Sequence, residues 1–258
     1  MDNVQLEKTF RKSGIEKLPD DTQLKKYADI FLEELRNRDE ESLISETVMK
    51  NSNTTIRTIF GVHRQSEIAA KMAKLPVLRD TVNAILQQPN YLLQSQINFK
   101  PTGMGSGFPA HRDVHYFYNR DGIQNADLTM GVMINLVDTV SSMGPVIMLK
   151  GSHHTYTSLP VSFSYTGGKP SLLRSSKSAQ DPGRLSPEEM AAHDGYERVE
   201  LVGKAGSAFI FDSRNVHWSE DNLQKYPRPV LIFWFNVLTN KPKIQKSPWF
   251  LSETETIY

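Results

Sequence analysis

A chain of 258 residues with 30 basic and 29 acidic side chains, net charge +1, has no electrostatic footprint for a polyanion, so no nucleic-acid partner is expected. Its 38% hydrophobic content supports one sizeable core, expected as a single domain over 1–258, and the lack of cysteine excludes disulfides, thiolate zinc sites and iron–sulfur clusters. The first residues, MDNVQLEKTFRKSG, contain no apolar leader and no run approaches the roughly 18 apolar residues of a membrane span, so a cytoplasmic protein without membrane contact is expected.

The first ninety residues are expected to be mostly helical support. After Asp20 and Asp21, the segment DDTQLKKYADIFLEELRNR sets Leu24, Tyr27, Ile30, Phe31 and Leu35 near i, i+3, i+4 spacing and ends on arginines, which predicts an amphipathic helix with that stripe inward. TTIRTIFGVH, rich in β-branched and aromatic residues, predicts a strand. A helical stretch from about Ser66 through Ile85 contains Pro76, whose fixed φ and missing N–H end one helix and start another.

After Pro89, strands punctuated by Gly, Pro and Asn take over: LLQSQINFK, LTMGVMINLV, VIML, SAFIFD and PVLIFWFNVL. Helices first and strands later predict an α+β fold with a barrel core over 91–240. The period of two sets Gln94, Gln96 and Asn98 on one face of their strand and Ser95, Ile97 and Phe99 on the other. Three amides on one face are costly to bury without partners, which a polar pocket would provide. Arg228, Val230 and Ile232 share a face of the last strand, so an interior on that side receives a guanidinium near one rim. Between Tyr165 and Val199 the chain is rich in Gly, Ser, Lys and Pro. One short helix is announced there by Ser186-Pro187-Glu188-Glu189, an N-cap followed by proline at the first helical position. A connection of this length and composition, about 163–199, is a candidate active-site lid.

His111 and Asp113, in HRDVHYFYNRDG, are two apart, so on an extended segment both side chains leave the same face and reach one ion. His115 and His153 are equally available imidazoles, and the spacing alone leaves the ligand set open. His217 follows the strand SAFIFD and a short turn, and Ser219, Asn222 and Arg228 come after it. Two imidazoles and one carboxylate on one face of an octahedron form the triad of non-haem Fe(II) oxygenases, which leaves three positions for a bidentate cosubstrate and dioxygen. Arg228, eleven residues beyond His217, is placed to anchor a carboxylate.

With these residues the chain resembles the phytanoyl-CoA dioxygenase (PhyH) superfamily of Fe(II)/2-oxoglutarate oxygenases, whose pattern is H-x-D, a distal His and an Arg about eleven residues later, as here. The segments IRTIFGVH, LQSQINFKP, GSGFPAHRDVHYFYNRDGI, MGPVIMLKGSHH and HWSEDNLQKYPR look like successive blocks of ectoine hydroxylases and of bacterial hydroxylases of free leucine, together spanning about Ile56 to Asn240. The resemblance implies a double-stranded β-helix (jelly-roll, cupin-like) core with flanking N-terminal helices. It implies His111, Asp113 and His217 as the catalytic iron ligands, Arg228 with Ser219 on the distal carboxylate of 2-oxoglutarate, and Gln94 and Asn98, matching the family's Q-x-x-x-N, along the cosubstrate and substrate pocket. The implied cofactors are Fe(II), 2-oxoglutarate and O2. The implied partner is a small amino-acid-like molecule, handled by a monomer or homodimer in specialised biosynthesis.

Asp113 favours hydroxylation, because halogenating relatives carry a small residue in place of this carboxylate. Ectoine hydroxylases have an aromatic-acidic block, roughly F-E-x-W, where this chain has Val114, His115, Tyr116 and Phe117, which argues against ectoine itself. Trp218 replaces the usual glycine after the distal His and is expected either to shape the pocket or to pack under the turn. Phe108 and Phe117 are expected to wall the substrate site, with core packing as the competing role. Arg57 is expected to pair with a substrate carboxylate, with a surface salt bridge as its alternative. A larger, carrier-linked or acyl-CoA substrate would instead need a basic groove, for which the lid offers Lys169, Arg174, Lys177 and Arg184. A barrel that binds metal or 2-oxoglutarate without turnover is the remaining alternative.

Overall fold

The amide-bearing strand and the apolar run near the C-terminus lie side by side, as β4 (Asn90–Lys100) and β11 (Arg228–Val237), in an antiparallel sheet. In this computed structural model, which describes residues 3–38, 48–51, 55–103, 106–156 and 184–243, that sheet has seven strands. Their order is β1 (Ile15–Lys17), β9 (Ala208–Asp212), β6 (Thr129–Asn135), β11, β4, β3 (Thr55–Phe60) and β2 (Val48–Asn51). A second antiparallel sheet runs β5 (Phe108–His111), β10 (His217–Ser219), β7 (Val146–Leu149) and β8 (Arg198–Glu200). The first ninety residues thus give the large sheet three strands, of which the sequence pattern predicts β3 alone.

All ten residues of β11 are buried, which explains why its sequence is a continuous apolar run rather than an alternation. One face of the large sheet packs Ile59, Ile97, Val132, Ile210, Leu231 and Phe233 against the helices α1 (Asn3–Ser13), α2 (Thr22–Arg36), α3 (Glu67–Ala73) and α4 (Pro76–Leu86). The other face buries Phe60, Met133, Phe209, Phe211, Ile232 and Trp234 with Met148 of the small sheet. Each such side chain contributes about 1.5–3 kcal/mol on burial. The polar site is cut into this second, inter-sheet core.

The helix starts follow the predicted chemistry. Asp21 caps α2 by accepting from Leu24 N at 2.6 Å, Ser66 caps α3 by accepting from Ala69 N at 3.1 Å, and Pro76 opens α4. The inward stripe of α2 is Leu24, Ala28 and Phe31, at i, i+4, i+7, whereas Ile30 lies off that face and is 40% exposed, contrary to its expected inward place. α5 (Val114–Asp121), closed by Gly122 at φ 70°, forms where the sequence predicts no helix. Its aromatic and β-branched residues have weak intrinsic helix preference, so tertiary packing decides the segment.

Most of the expected lid, with Lys169, Arg174 and Lys177, lies outside the described residues. Its last part is bound to the small sheet. Arg184 bridges to His111, Leu185 N donates to Ala110 O at 2.9 Å, and residues from Arg198 form β8. Between them α6 (Pro187–Ala191) carries a reciprocal cap, with Glu189 N donating to Ser186 Oγ at 3.2 Å and Ser186 N to Glu189 Oε2 at 2.7 Å. No described helix is long and apolar enough to cross a membrane.

Candidate active site

His217 on β10 is the register partner of His111 on β5, which brings the two imidazoles to 4.1 Å between ring centroids. Asp113 reaches them by a route the spacing did not predict. β5 ends at His111, and Asp113 takes helical angles, φ −67° and ψ −28°, as the residue that opens α5. The chain turns through Arg112, and the carboxylate folds back to 3.7 Å from His111 Nε2 and 3.1 Å from His217 Nε2. The three ligand atoms lie within 4.8 Å of one another.

The outward nitrogens fix the tautomers. His111 Nδ1 donates to Pro109 O at 2.8 Å and His217 Nδ1 to Asn215 O at 3.0 Å; a carbonyl only accepts, so both Nε2 lone pairs face the common point. Burial opposes charging of His217, but Asp113 and the Asn215 carbonyl outweigh it and raise its pKa. With a metal in place of that proton, two neutral imidazoles and one carboxylate, oriented from behind, fit Fe(II). Neither competing histidine is part of the cluster. Burial and Arg112 push His115 down to about 4, and His153 Nε2 donates to Arg11 O of α1 at 3.0 Å.

Arg112, between the two ligands of β5 and α5, holds their turn in place. It is buried and donates to Ser152 O at 2.9 Å, Thr155 Oγ1 at 2.8 Å, His193 Nε2 at 3.1 Å and Arg214 O. This role is not legible in the sequence, since the partners of Arg112 come from three distant segments.

The second centre is cationic. Arg228 opens β11 only 2% exposed, and its Nε and Nη1 are buried without a hydrogen-bond partner among the described residues. Burial alone depresses its pKa to about 10. A buried guanidinium with idle donors is costly until an anion arrives, and its planar fork matches a carboxylate. Ser219 leaves β10 on the same face as His217, two residues away. Its Oγ accepts from Lys100 Nζ at 2.7 Å. Lys100 went unnoticed in the sequence although it continues the 94, 96, 98 face of β4 by the same period of two.

Along that face the amides satisfy one another. Gln94 Nε2 donates to Gln96 Oε1 at 2.8 Å, Gln96 Nε2 to Asn98 Oδ1 at 3.4 Å, and Thr58 Oγ1 to Asn98 Oδ1 at 3.0 Å. Arg57 joins them through a β-bulge. The β2–β3 register steps from Thr58 to Ile56 and leaves Arg57 as the extra residue. Ile56 packs on the helix-side core, while the Arg57 guanidinium stacks 3.7 Å above the Phe108 ring centroid and donates to Gly107 O at 3.0 Å. Among the described residues Arg57 makes no salt bridge, so the surface-pair alternative is not what is found.

The remaining aromatics divide. Phe117 is 3% exposed and packs edge-on to Trp234 at 4.7 Å, in the core below the site. Tyr116, one residue earlier on α5, sits 6.0 Å from the His111 ring. Trp218, between His217 and Ser219, leaves the opposite face of β10 from the metal ligands. Its indole N–H donates to Glu220 Oε1 at 2.9 Å, and it borders a rim cleft of about 580 Å³ with Pro109, Met190 and Leu223.

Residues 15–230, which contain every polar group of this site, match the phytanoyl-CoA dioxygenase (PhyH) family. The chain belongs to the PhyH family. Among its PhyH-family relatives, the ectoine dioxygenase of Streptomyces coelicolor is 31% identical over 195 residues, 75% of this chain and 63% of that protein. The L-proline trans-4-hydroxylase of Streptomyces griseoviridis is 27% identical over 214 residues, 80% and 76% of the two chains. This PhyH-family chain therefore spans about 63% of the length of the ectoine dioxygenase it matches. The crystal structure of EctD from S. alaskensis with 2-oxoglutarate and 5-hydroxyectoine shares the fold, with a TM-score of 0.73 at 22% identity over 98% of this chain and 83% of that one.

Proposed function

We propose that this protein is an Fe(II)- and 2-oxoglutarate-dependent dioxygenase that hydroxylates an unactivated C–H bond of a free amino acid or similar small zwitterion in specialised metabolism. The observation that carries this reading is the pairing of the His111, Asp113 and His217 cluster with the buried Arg228 Nε and Nη1, which have no partner among the described residues. The two facing antiparallel sheets support a double-stranded β-helix core, with both groups in its interior.

His111, Asp113 and His217 hold the iron, and Arg228 with Ser219 takes the distal carboxylate of 2-oxoglutarate. Iron with 2-oxoglutarate and O2 supplies, when bound, the oxidation that replaces C–H with C–OH while 2-oxoglutarate becomes succinate and carbon dioxide. The chain does the positioning. The Pro109 and Asn215 carbonyls keep the imidazoles facing the metal, Gln94 and Asn98 line the pocket as a fixed amide ladder, and the inter-sheet core around Phe117 and Trp234 excludes water below it.

Arg57, stacked on Phe108 and without a carboxylate of its own among the described residues, receives the carboxylate of the substrate. Relatives named for ectoine and for L-proline support a substrate of this size and charge. Ectoine itself is disfavoured by Val114, His115, Tyr116 and Phe117, which lie in α5. Of the four cations a carrier-linked substrate would call on, Arg184 is the one among the described residues, and it is tied to the strand of His111.

The test is succinate formation. Purified protein supplied with Fe(II), ascorbate, 2-oxoglutarate and a panel of free amino acids is expected to make succinate above the substrate-free rate with at least one of them, with a product 16 Da heavier. Failure with every one refutes the reading.

A further inference from the structure

Lys100 ends β4 beside Arg228, its register partner on β11, and is 1% exposed. Its Nζ has three acceptors: Ser219 Oγ at 2.7 Å, Ser106 O at 3.2 Å, and Glu220 O. An ammonium carries three protons and no lone pair, so it donates to all three. Ser219 Oγ is then an acceptor toward Lys100, and its own proton must point elsewhere. We propose that Lys100 is a positioning residue for the cosubstrate: by donating to Ser219 Oγ it turns the serine proton toward the carboxylate held by Arg228. This rests on the roles proposed above for Ser219 and Arg228.

The device works only in the ammonium form. A neutral amine offers Ser219 a lone pair, so the hydroxyl can donate backward and present its oxygen to the carboxylate instead. The groups around Lys100 set the balance. Burial weighs most against the charge, followed by Arg228 from β11 and Arg57 from β3; Asp221 and Glu220, after β10, favour it, and the result is a pKa of about 7. A lysine protonated below about 7 and neutral above orients Ser219 at low pH and releases it as pH rises. An arriving carboxylate favours the ammonium, so binding just above pH 7 takes up a proton, while well above it the amine stays neutral in the complex too.

A lysine that merely ties the Ser106 and Glu220 segments together would affect stability but not cosubstrate selectivity. The experiment is an anaerobic calorimetric titration of the full-length Fe(II) protein at pH 6.5 and 8.5. It compares 2-oxoglutarate with 2-oxobutyrate, which keeps the chelating end and lacks the distal carboxylate. The unsubstituted protein is expected to prefer 2-oxoglutarate, and more so at pH 6.5. Lys100→Met is expected to weaken 2-oxoglutarate binding about tenfold or more at pH 6.5 and leave 2-oxobutyrate binding unchanged. Ser219→Ala is expected to lose a similar factor at pH 6.5 and much less at pH 8.5, and the double variant to be no worse than either single one.

Additive losses, or an equal Ser219→Ala penalty at both pH values, overturn the proposal. If Lys100→Met does not fold, the pH dependence of the Ser219→Ala penalty decides alone. Arg228→Met tests the underlying reading separately, since it should abolish the preference for 2-oxoglutarate whatever Lys100 does. An unsubstituted protein without that preference sinks both.

Discussion

Arg228 shows most directly how one side chain can report a missing partner. Its burial was legible in the sequence, because Arg228, Val230 and Ile232 share a strand face, but its idle Nε and Nη1 were not, since partners depend on the neighbouring strands. Arg228→Lys keeps the charge and loses the fork, so it is expected to raise the KM for 2-oxoglutarate about tenfold to a hundredfold with a smaller effect on kcat. Steady-state kinetics at saturating substrate check this, and an unchanged KM would remove the assigned role. The triad is legible as residue types, but the path by which it converges is not. Asp113 meets His111 through a turn into α5, not along a strand. His217→Ala is expected to abolish iron retention, read by metal analysis after gel filtration, since two remaining ligands cannot form the face.

Secondary-structure elements explain what the sequence pattern could and could not reveal about direction. The period of two correctly put Gln94, Gln96 and Asn98 together, and applied to β10 the same rule would have sent Trp218 away from His217 and Ser219. It would also have added Lys100. The bulge that turns Arg57 inward is invisible in one strand, because it exists only as a mismatch in register with β2. α5 escaped for a related reason: its residues prefer extended backbone, and the packing of Phe117 on Trp234 prevails over that preference. The same inner face contains Gly131 on β6, where a Cβ would collide with the ring of Phe211. Gly131→Ala is therefore expected to cost about 1–3 kcal/mol by overpacking and to displace Phe211, which lies 5.1 Å from Trp234. Chemical denaturation measures the loss, and a neutral result would mean that this core yields more easily than its packing indicates.

The molecule as a whole carries a conflict between stability and the proposed chemistry. Helices and the large sheet enclose one hydrophobic cluster, while Lys100 and Arg228 are buried on the other face of that sheet. An isolated buried charge lowers stability unless it is paired, so the protein without ligand holds Arg228 at a cost that an anion removes. Two opposite shifts should follow from one substitution. Arg228→Met replaces the guanidinium with an apolar chain of related length and is expected to raise the melting temperature of the ligand-free protein, by a stabilisation of about 1–3 kcal/mol. The unsubstituted Fe(II) protein should gain about 2.7 kcal/mol at a 2-oxoglutarate concentration one hundred times its Kd, a rise of roughly 5–10 °C for a chain of this size. Arg228→Met should lose most of that ligand-induced rise while keeping the increment due to metal, because His111, Asp113 and His217 are untouched. Anaerobic thermal melts with metal alone and with metal plus 2-oxoglutarate separate the two contributions. An Arg228→Met protein less stable than the parent without ligand would mean that the guanidinium already has a partner in the folded chain.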